Sequence, residues 1–130
     1  MKKLLLILCL FSMTTHAEWK FDGGSDAYDS YIDYSRIKTE GRYKSMWVLK
    51  DYKSPQTEAT GKQYKSAITK VLIDCKASRN QNVALYFYSE QMGGGQLIYS
   101  GNYSIKESDW EYSPPNSFGD GYIKVACGRK

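Results

Sequence analysis

Apolar and polar positions alternate most regularly between Thr69 and Ala77. Thr69, Val71, Ile73, Cys75 and Ala77 fall on one side at period two, and Lys70, Leu72, Asp74 and Lys76 on the other, the pattern of a half-buried strand whose Cys75 side faces a core. Weaker alternation predicts a short opening strand at Glu18–Phe21, a strand from Tyr28 to Tyr34, and a long one from Tyr43 to Tyr52 that Pro55 stops. After the central strand, Ser78–Gln81 is read as a tight return into a strand over Asn82–Ser89, with Val83, Leu85 and Phe87 opposite Ala84, Tyr86 and Tyr88. Gly93–Gly95 breaks the pattern before a last strand at Gln96–Ser100, and Gly101-Asn102 is expected to turn the chain again.

Two stretches depart from period two. Residues 53–63 hold almost nothing a core could use and read as an exposed, mobile loop. Beyond Pro114-Pro115, Asn116 or Ser117 can cap a short helix in which Tyr122, Ile123, Ala126 and Cys127 share one side, although Gly119 and Gly121 weaken it. Successive hairpin-like connections without helical crossovers favour antiparallel pairing. The fold class expected is α+β: a curved antiparallel β-sheet meander of about six strands with a C-terminal helix packed across one face.

The N-terminal residues change what compartment this domain meets. Lys2 and Lys3 precede an apolar run from Leu4 to Phe11, and Thr15-His16-Ala17 ends the segment with small residues, so residues 1–17 read as a secretory signal peptide. That run is too short to span a bilayer, and no later segment approaches the ~20 apolar residues a spanning helix needs. Removing 17 of 130 residues leaves 113, residues 18–130, the length of a single domain. Loss of two lysines takes the formal charge from +4 to +2, too slight a bias to imply nucleic acid or an anionic membrane as partner.

Export also decides how the cysteines are read. Cys9 leaves with the leader, and Cys75 and Cys127 remain in an oxidising compartment, where a disulfide between them is expected. Closing so long a loop stabilises a small domain by roughly 4 kcal/mol in the chain-entropy picture. The alternative is a reactive or metal-binding thiol. It lacks support nearby, because the one histidine, His16, departs with the leader.

Candidate catalytic chemistry is sparse. Without histidine, the common general base and the Ser-His-Asp arrangement are missing from the mature chain. Ser35-Arg36-Ile37-Lys38 fits a Ser-x-x-Lys pattern without the companion motifs of penicillin-recognising enzymes. Asp22–Asp33 is acid-rich, but Gly24, Ala27 and Asp33 stand where a calcium loop needs a ligand, a glycine and a glutamate. Gly93–Gly95 lacks the Lys and Ser or Thr of a phosphate loop. The reading is a non-enzyme without cofactor or metal.

Tyrosine is the positive signal, with twelve in the chain, all after residue 17. Sheet propensity and half-burial explain tyrosines in strands. Position suggests more: Tyr86 and Tyr88 lie opposite the Val83–Phe87 side, and Leu72 opposite the Cys75 side, so both faces carry large groups while one helix can cover only one. The other face, with Tyr86, Tyr88 and Leu72 flanked by Lys70 and Lys76, has the composition of a protein interface, for another macromolecule or a second copy of this chain.

An ordered set of residues resembles the bacterial surface-adhesin protein E-like family, small exported proteins of Gram-negative bacteria. The set is Tyr31-Ile32-Asp33, Ile37, Gly41, Met46-Trp47, Asp74-Cys75-Lys76, Arg79, Trp110, Pro114-Pro115-Asn116-Ser117 and Cys127, and it spans nearly the whole mature chain. The resemblance implies an antiparallel sheet crossed by a C-terminal helix, with a disulfide between the two. It also implies binding rather than catalysis, since the family's namesake is a surface-anchored adhesin for host extracellular matrix and plasma proteins. The chain departs from that namesake in having no lipobox. The rival readings are a periplasmic inhibitor of an exported enzyme such as lysozyme and an envelope-associated accessory protein.

Overall fold

A computed structural model describes residues 17–129. Residues 1–16, which hold most of the expected signal peptide, lie outside the described residues. One antiparallel sheet contains β1 (Trp19–Gly24), β2 (Tyr28–Asp33), β3 (Lys38–Glu40), β4 (Tyr43–Thr57), β5 (Gln63–Asp74), β6 (Arg79–Tyr88) and β7 (Leu97–Asn102), followed by one helix, α1 (Phe118–Ala126). Strand order is β1-β2-β4-β5-β6-β7, and the short β3 pairs with the start of β4. No helix among the described residues is long and apolar enough to cross a membrane.

The core lies between α1 and the face carrying Ile32, Met46, Val48, Val71 and Ile73. Cross-strand register explains why these five meet: Ile32 pairs with Val48, Val48 with Thr69, and Met46 with Val71, so their side chains share one side of the sheet. Tyr122, Ile123 and Ala126 come down on them from α1 at the expected spacings of three and four, and Cys75 and Cys127 pack at the margin. Cys75 and Cys127 form the disulfide, with Cα atoms 5.7 Å apart. Ser117 caps the helix, its side chain accepting from Asp120 N at 3.2 Å. Gly119, which weakens a helix in isolation, is required by a close approach: a Cβ there would lie 2.9 Å from Ser113 Cβ.

Several boundaries differ from expectation. β4 runs through Pro55 to Thr57, because its register with β5 shifts between Asp51 and Gln56, and this irregularity accommodates a residue with no N–H to give. Residues 53–63 are therefore not a structureless loop but the exposed tip of a β4–β5 hairpin. Its turn is closed by Glu58, which accepts from the backbone N–H groups of Thr60 and Lys62 at 2.9 and 3.1 Å. β5 starts at Gln63, six residues before the expected Thr69. β1 continues to Gly24 across a bulge between Phe21 and Gly23, and the turn follows at Ser25, whose hydroxyl accepts from Ala27 N and Tyr28 N. The return after β5 is made by residues 75–78, and β6 starts at Arg79. Gly101 and Asn102, expected to turn the chain, remain in β7 opposite Leu85 and Ala84.

The segment from Tyr103 to Pro115 is a strap around the free end of β6. Gln81 holds Lys106 from its side-chain amide, with Lys106 N donating to Gln81 Oε1 at 3.2 Å, and Asn80 and Glu111 exchange backbone hydrogen bonds. Arg79 donates to Asp74 and Glu107 at 2.9 and 2.7 Å and lies 4.6 Å over the Trp110 ring. Asn80 Nδ2 then meets Ser113 Oγ at 3.0 Å as the strap passes toward α1.

Candidate functional site

Strand alternation puts a second apolar layer on the face away from α1. Tyr31, Leu49, Ile68 and Tyr86 form one cross-strand row, and Trp47 pairs with Lys70 in the next. The connection between β6 and β7 folds back over this layer as a single turn, Gln91–Gly93, which the strands tie down: Ser66 Oγ donates to Glu90 O at 2.6 Å and accepts from Gly93 N at 2.9 Å, and Asp51 Oδ1 accepts from Met92 N at 3.0 Å. Gly93 has φ +72°, and a Cβ there would sit 3.0 Å from Ile68 Cδ1. A side chain here would strain the left-handed backbone and push against Ile68.

Between this turn, β1 and the centre of the sheet is a cleft of about 380 Å³ walled by Trp19, Trp47, Tyr86, Tyr88 and Met92, with Ile68 beneath. Trp47 and Tyr86 have ring centroids 6.1 Å apart with their planes tilted by 36°. Arg36 also lines it, at the end of the 3-10 turn Tyr34–Arg36 that follows β2. Among the described residues, no acidic side chain does.

The expected interface residues separate. Tyr86 and Tyr88 line the cleft, half-buried. Lys70 is on the same face and bonds Glu40, Nζ to Oε1, at 2.9 Å; that contact, foremost, holds the Glu40 carboxyl below its usual range. Leu72 is on the same face too, but with 2 % exposure it offers nothing to a partner. Its cross-strand neighbour Gln81 is the residue to which the strap is bound. Lys76 lies beyond the end of β5, in a separate basic hollow of about 420 Å³ with Arg42, Asp74 and Arg79. Sequence reasoning missed Trp19, Trp47, Met92 and Arg36 as cleft residues. Trp47 was within its reach by parity alone, whereas Arg36 and Met92 sit in turns where parity stops.

Many of the other tyrosines serve the sheet itself. On the α1 side, Tyr28, Tyr52, Tyr64, Phe87 and Tyr99 make a continuous aromatic row across five strands, with centroid separations of 5.8, 5.7, 3.8 and 5.4 Å. Burial pushes the Tyr52 phenol up to about 12. Lys50 lies 4.8 Å over the Tyr28 ring, and burial lowers its pKa, with the Glu111 charge acting in the opposite sense. Among the described residues, no three His, Cys, Asp or Glu side chains are placed to hold a metal ion.

Comparison with known proteins yields a family and a fold. A family model described as surface-adhesin protein E matches residues 19–128. Crystal form II of Haemophilus influenzae protein E superposes with a TM-score of 0.59 at 14 % identity, covering 84 % of this chain and 92 % of that one. Another structure of Haemophilus influenzae protein E gives 0.58 at 14 % identity, covering 84 % and 89 %. Protein E from non-typeable Haemophilus influenzae gives 0.56 at 14 % identity, covering 82 % and 78 %. No curated protein matches in a sequence search.

Proposed function

This chain belongs to the surface-adhesin protein E family, and from that premise we propose that it is an exported, non-enzymatic adhesin-like domain, residues 18–130, that acts by binding a protein at the cell surface. The observation that carries this reading is the aromatic cleft. Trp47, Tyr86 and Tyr88 remain partly exposed around a hollow on the sheet face that α1 does not cover. Aromatic side chains give large contact area at low cost in lost rotamer freedom, which is why they dominate the centres of protein interfaces. Host extracellular matrix and plasma proteins are the partner class the family suggests.

The test has two parts. Intact cells of the native bacterium are probed with protease or antibody for the chain, and the purified domain is assayed against immobilised matrix and plasma proteins alongside the variant Trp47→Ala/Tyr86→Ser. Surface exposure with saturable binding that the double variant loses supports the reading. Confinement to the periplasm overturns it and brings forward inhibition of an exported enzyme such as lysozyme, which a lysozyme activity assay with added domain then tests.

A further inference from the structure

Arg36 is the charged side chain that lines the aromatic cleft among the described residues. Asp33, fully buried, anchors it: Asp33 Oδ1 accepts from Ser35 N at 3.0 Å and from Ser35 Oγ at 2.5 Å, and Oδ2 faces Arg36 Nε at 3.3 Å. Oδ2 has no hydrogen-bond partner among the described residues, Arg36 included, so the buried carboxylate is compensated only by the charge of Arg36 at 3.3 Å. The arginine in turn is held at the cleft wall with its side chain 40 % exposed. It pairs with no acid other than Asp33 among the described residues, and one guanidinium offers five donors.

We propose that the cleft is a subsite for a carboxylate-bearing peptide segment of the protein partner, with Arg36 taking the carboxylate and Trp47 and Tyr86 taking an adjacent large apolar side chain. This rests on the reading of the domain as a protein binder and specifies what part of the partner it grips. Three features select this occupant. Among the described residues the lining offers one cation, offset only by the buried Asp33 behind it, and no acid, so an anionic group fits the exposed guanidinium and a basic one does not. About 380 Å³ admits one large side chain and a carboxylate, near the lower end of the range for small ligand sites. Asp33 lies 3.3 Å from Nε without hydrogen-bonding it, and the guanidinium, on a side chain 40 % exposed, keeps its donors for a ligand.

The test uses intrinsic fluorescence of the purified mature domain, since Trp19 and Trp47 lie in the cleft and Trp110 does not. The probes are the capped peptides acetyl-Gly-Phe-Glu-Gly-amide, its Gln counterpart, and phenylacetate as a free small carboxylate. The Glu peptide is expected to produce a saturable change that weakens with added salt, and to bind about tenfold or more tightly than the Gln peptide, the usual worth of a charge-assisted hydrogen bond. Arg36→Gln is expected to remove that preference. Because this variant leaves Asp33 without countercharge, the double variant Asp33→Asn/Arg36→Gln, neutral at both positions, is measured beside it with a thermal melt of each.

Equal binding of the Glu and Gln peptides, no saturable change with either, or an undiminished Glu preference in the folded double variant overturns the proposal. Binding of phenylacetate alone overturns the peptide as occupant and leaves a small-molecule site. If the domain binds a matrix protein while the peptides fail, the cleft proposal falls and the adhesin reading stands. If the Glu peptide binds as expected and no matrix or plasma protein does, the reverse holds.

Discussion

Ser30 on β2 and Tyr122 on α1 meet hydroxyl to hydroxyl at 3.0 Å inside the core, 92 residues apart in sequence. Burial pushes the Tyr122 phenol up to about 12 against the opposing pull of the Ser30 hydrogen bond. An unfolded tyrosine ionises near 10, so the folded state holds this proton where the unfolded state has lost it. The stability it supports is complete below pH 10 and is lost as the pH rises through about 12. A shift of this size corresponds to about 2–3 kcal/mol. Denaturant midpoints measured across that window are expected to fall, and to fall less in Tyr122→Phe, which at neutral pH costs about 1–2 kcal/mol by leaving the buried Ser30 hydroxyl without its partner.

Reducing the Cys75–Cys127 bond, or replacing both residues with serine, is expected to lower stability by roughly 4 kcal/mol, because the bridge closes a loop with a separation of 52 residues. Urea titrations with and without reductant measure this. An unchanged midpoint would mean that α1 stays docked through Tyr122, Ile123 and Ala126 alone.

Arg79→Ala removes the group that joins Asp74, Glu107 and the Trp110 ring. The expected result is local: faster hydrogen exchange at Glu111 N, which bonds Asn80 O at 2.8 Å, with β4–β5 amides unaffected. Trp110→Ala is a harsher change at a nearly fully buried indole and is expected to cost roughly 3 kcal/mol or more in global stability.

Gly93→Ala is expected to cost about 1–2 kcal/mol, since φ is +72° and the new methyl meets Ile68. The same substitution disturbs the floor of the cleft. Peptide binding is expected to weaken in the variant even where thermal melts show it fully folded at the assay temperature.

Much of this fold was legible where alternation is local and both faces have clear character. β2, the start of β4, the helix side bearing Tyr122, Ile123 and Ala126, and the cysteine pairing all follow from residue order. Pro55 misled because proline's effect on a strand depends on register, and the shift between Asp51 and Gln56 is a property of two strands together. Two residues of the cleft were visible in the parity of Tyr86 and Tyr88. Arg36 was not, since a buried carboxylate three residues earlier aims it from a turn. The burial of Leu72 was equally hidden: it depends on a face partly closed by the strap bound at Gln81, a contact between segments 25 residues apart.

The disulfide also imposes an order in time. Every strand of the sheet precedes Cys127, so during synthesis Cys75 emerges first and waits for a partner still 52 residues away. At ribosomal speeds of about 5–20 residues per second this delay is about 3–10 seconds. Throughout it the growing chain holds Cys75 without the Cys127 partner that ties α1 to the sheet. A chain interrupted before Cys127 keeps that thiol permanently, and so carries a chemical mark of its own incompleteness that a finished molecule has erased.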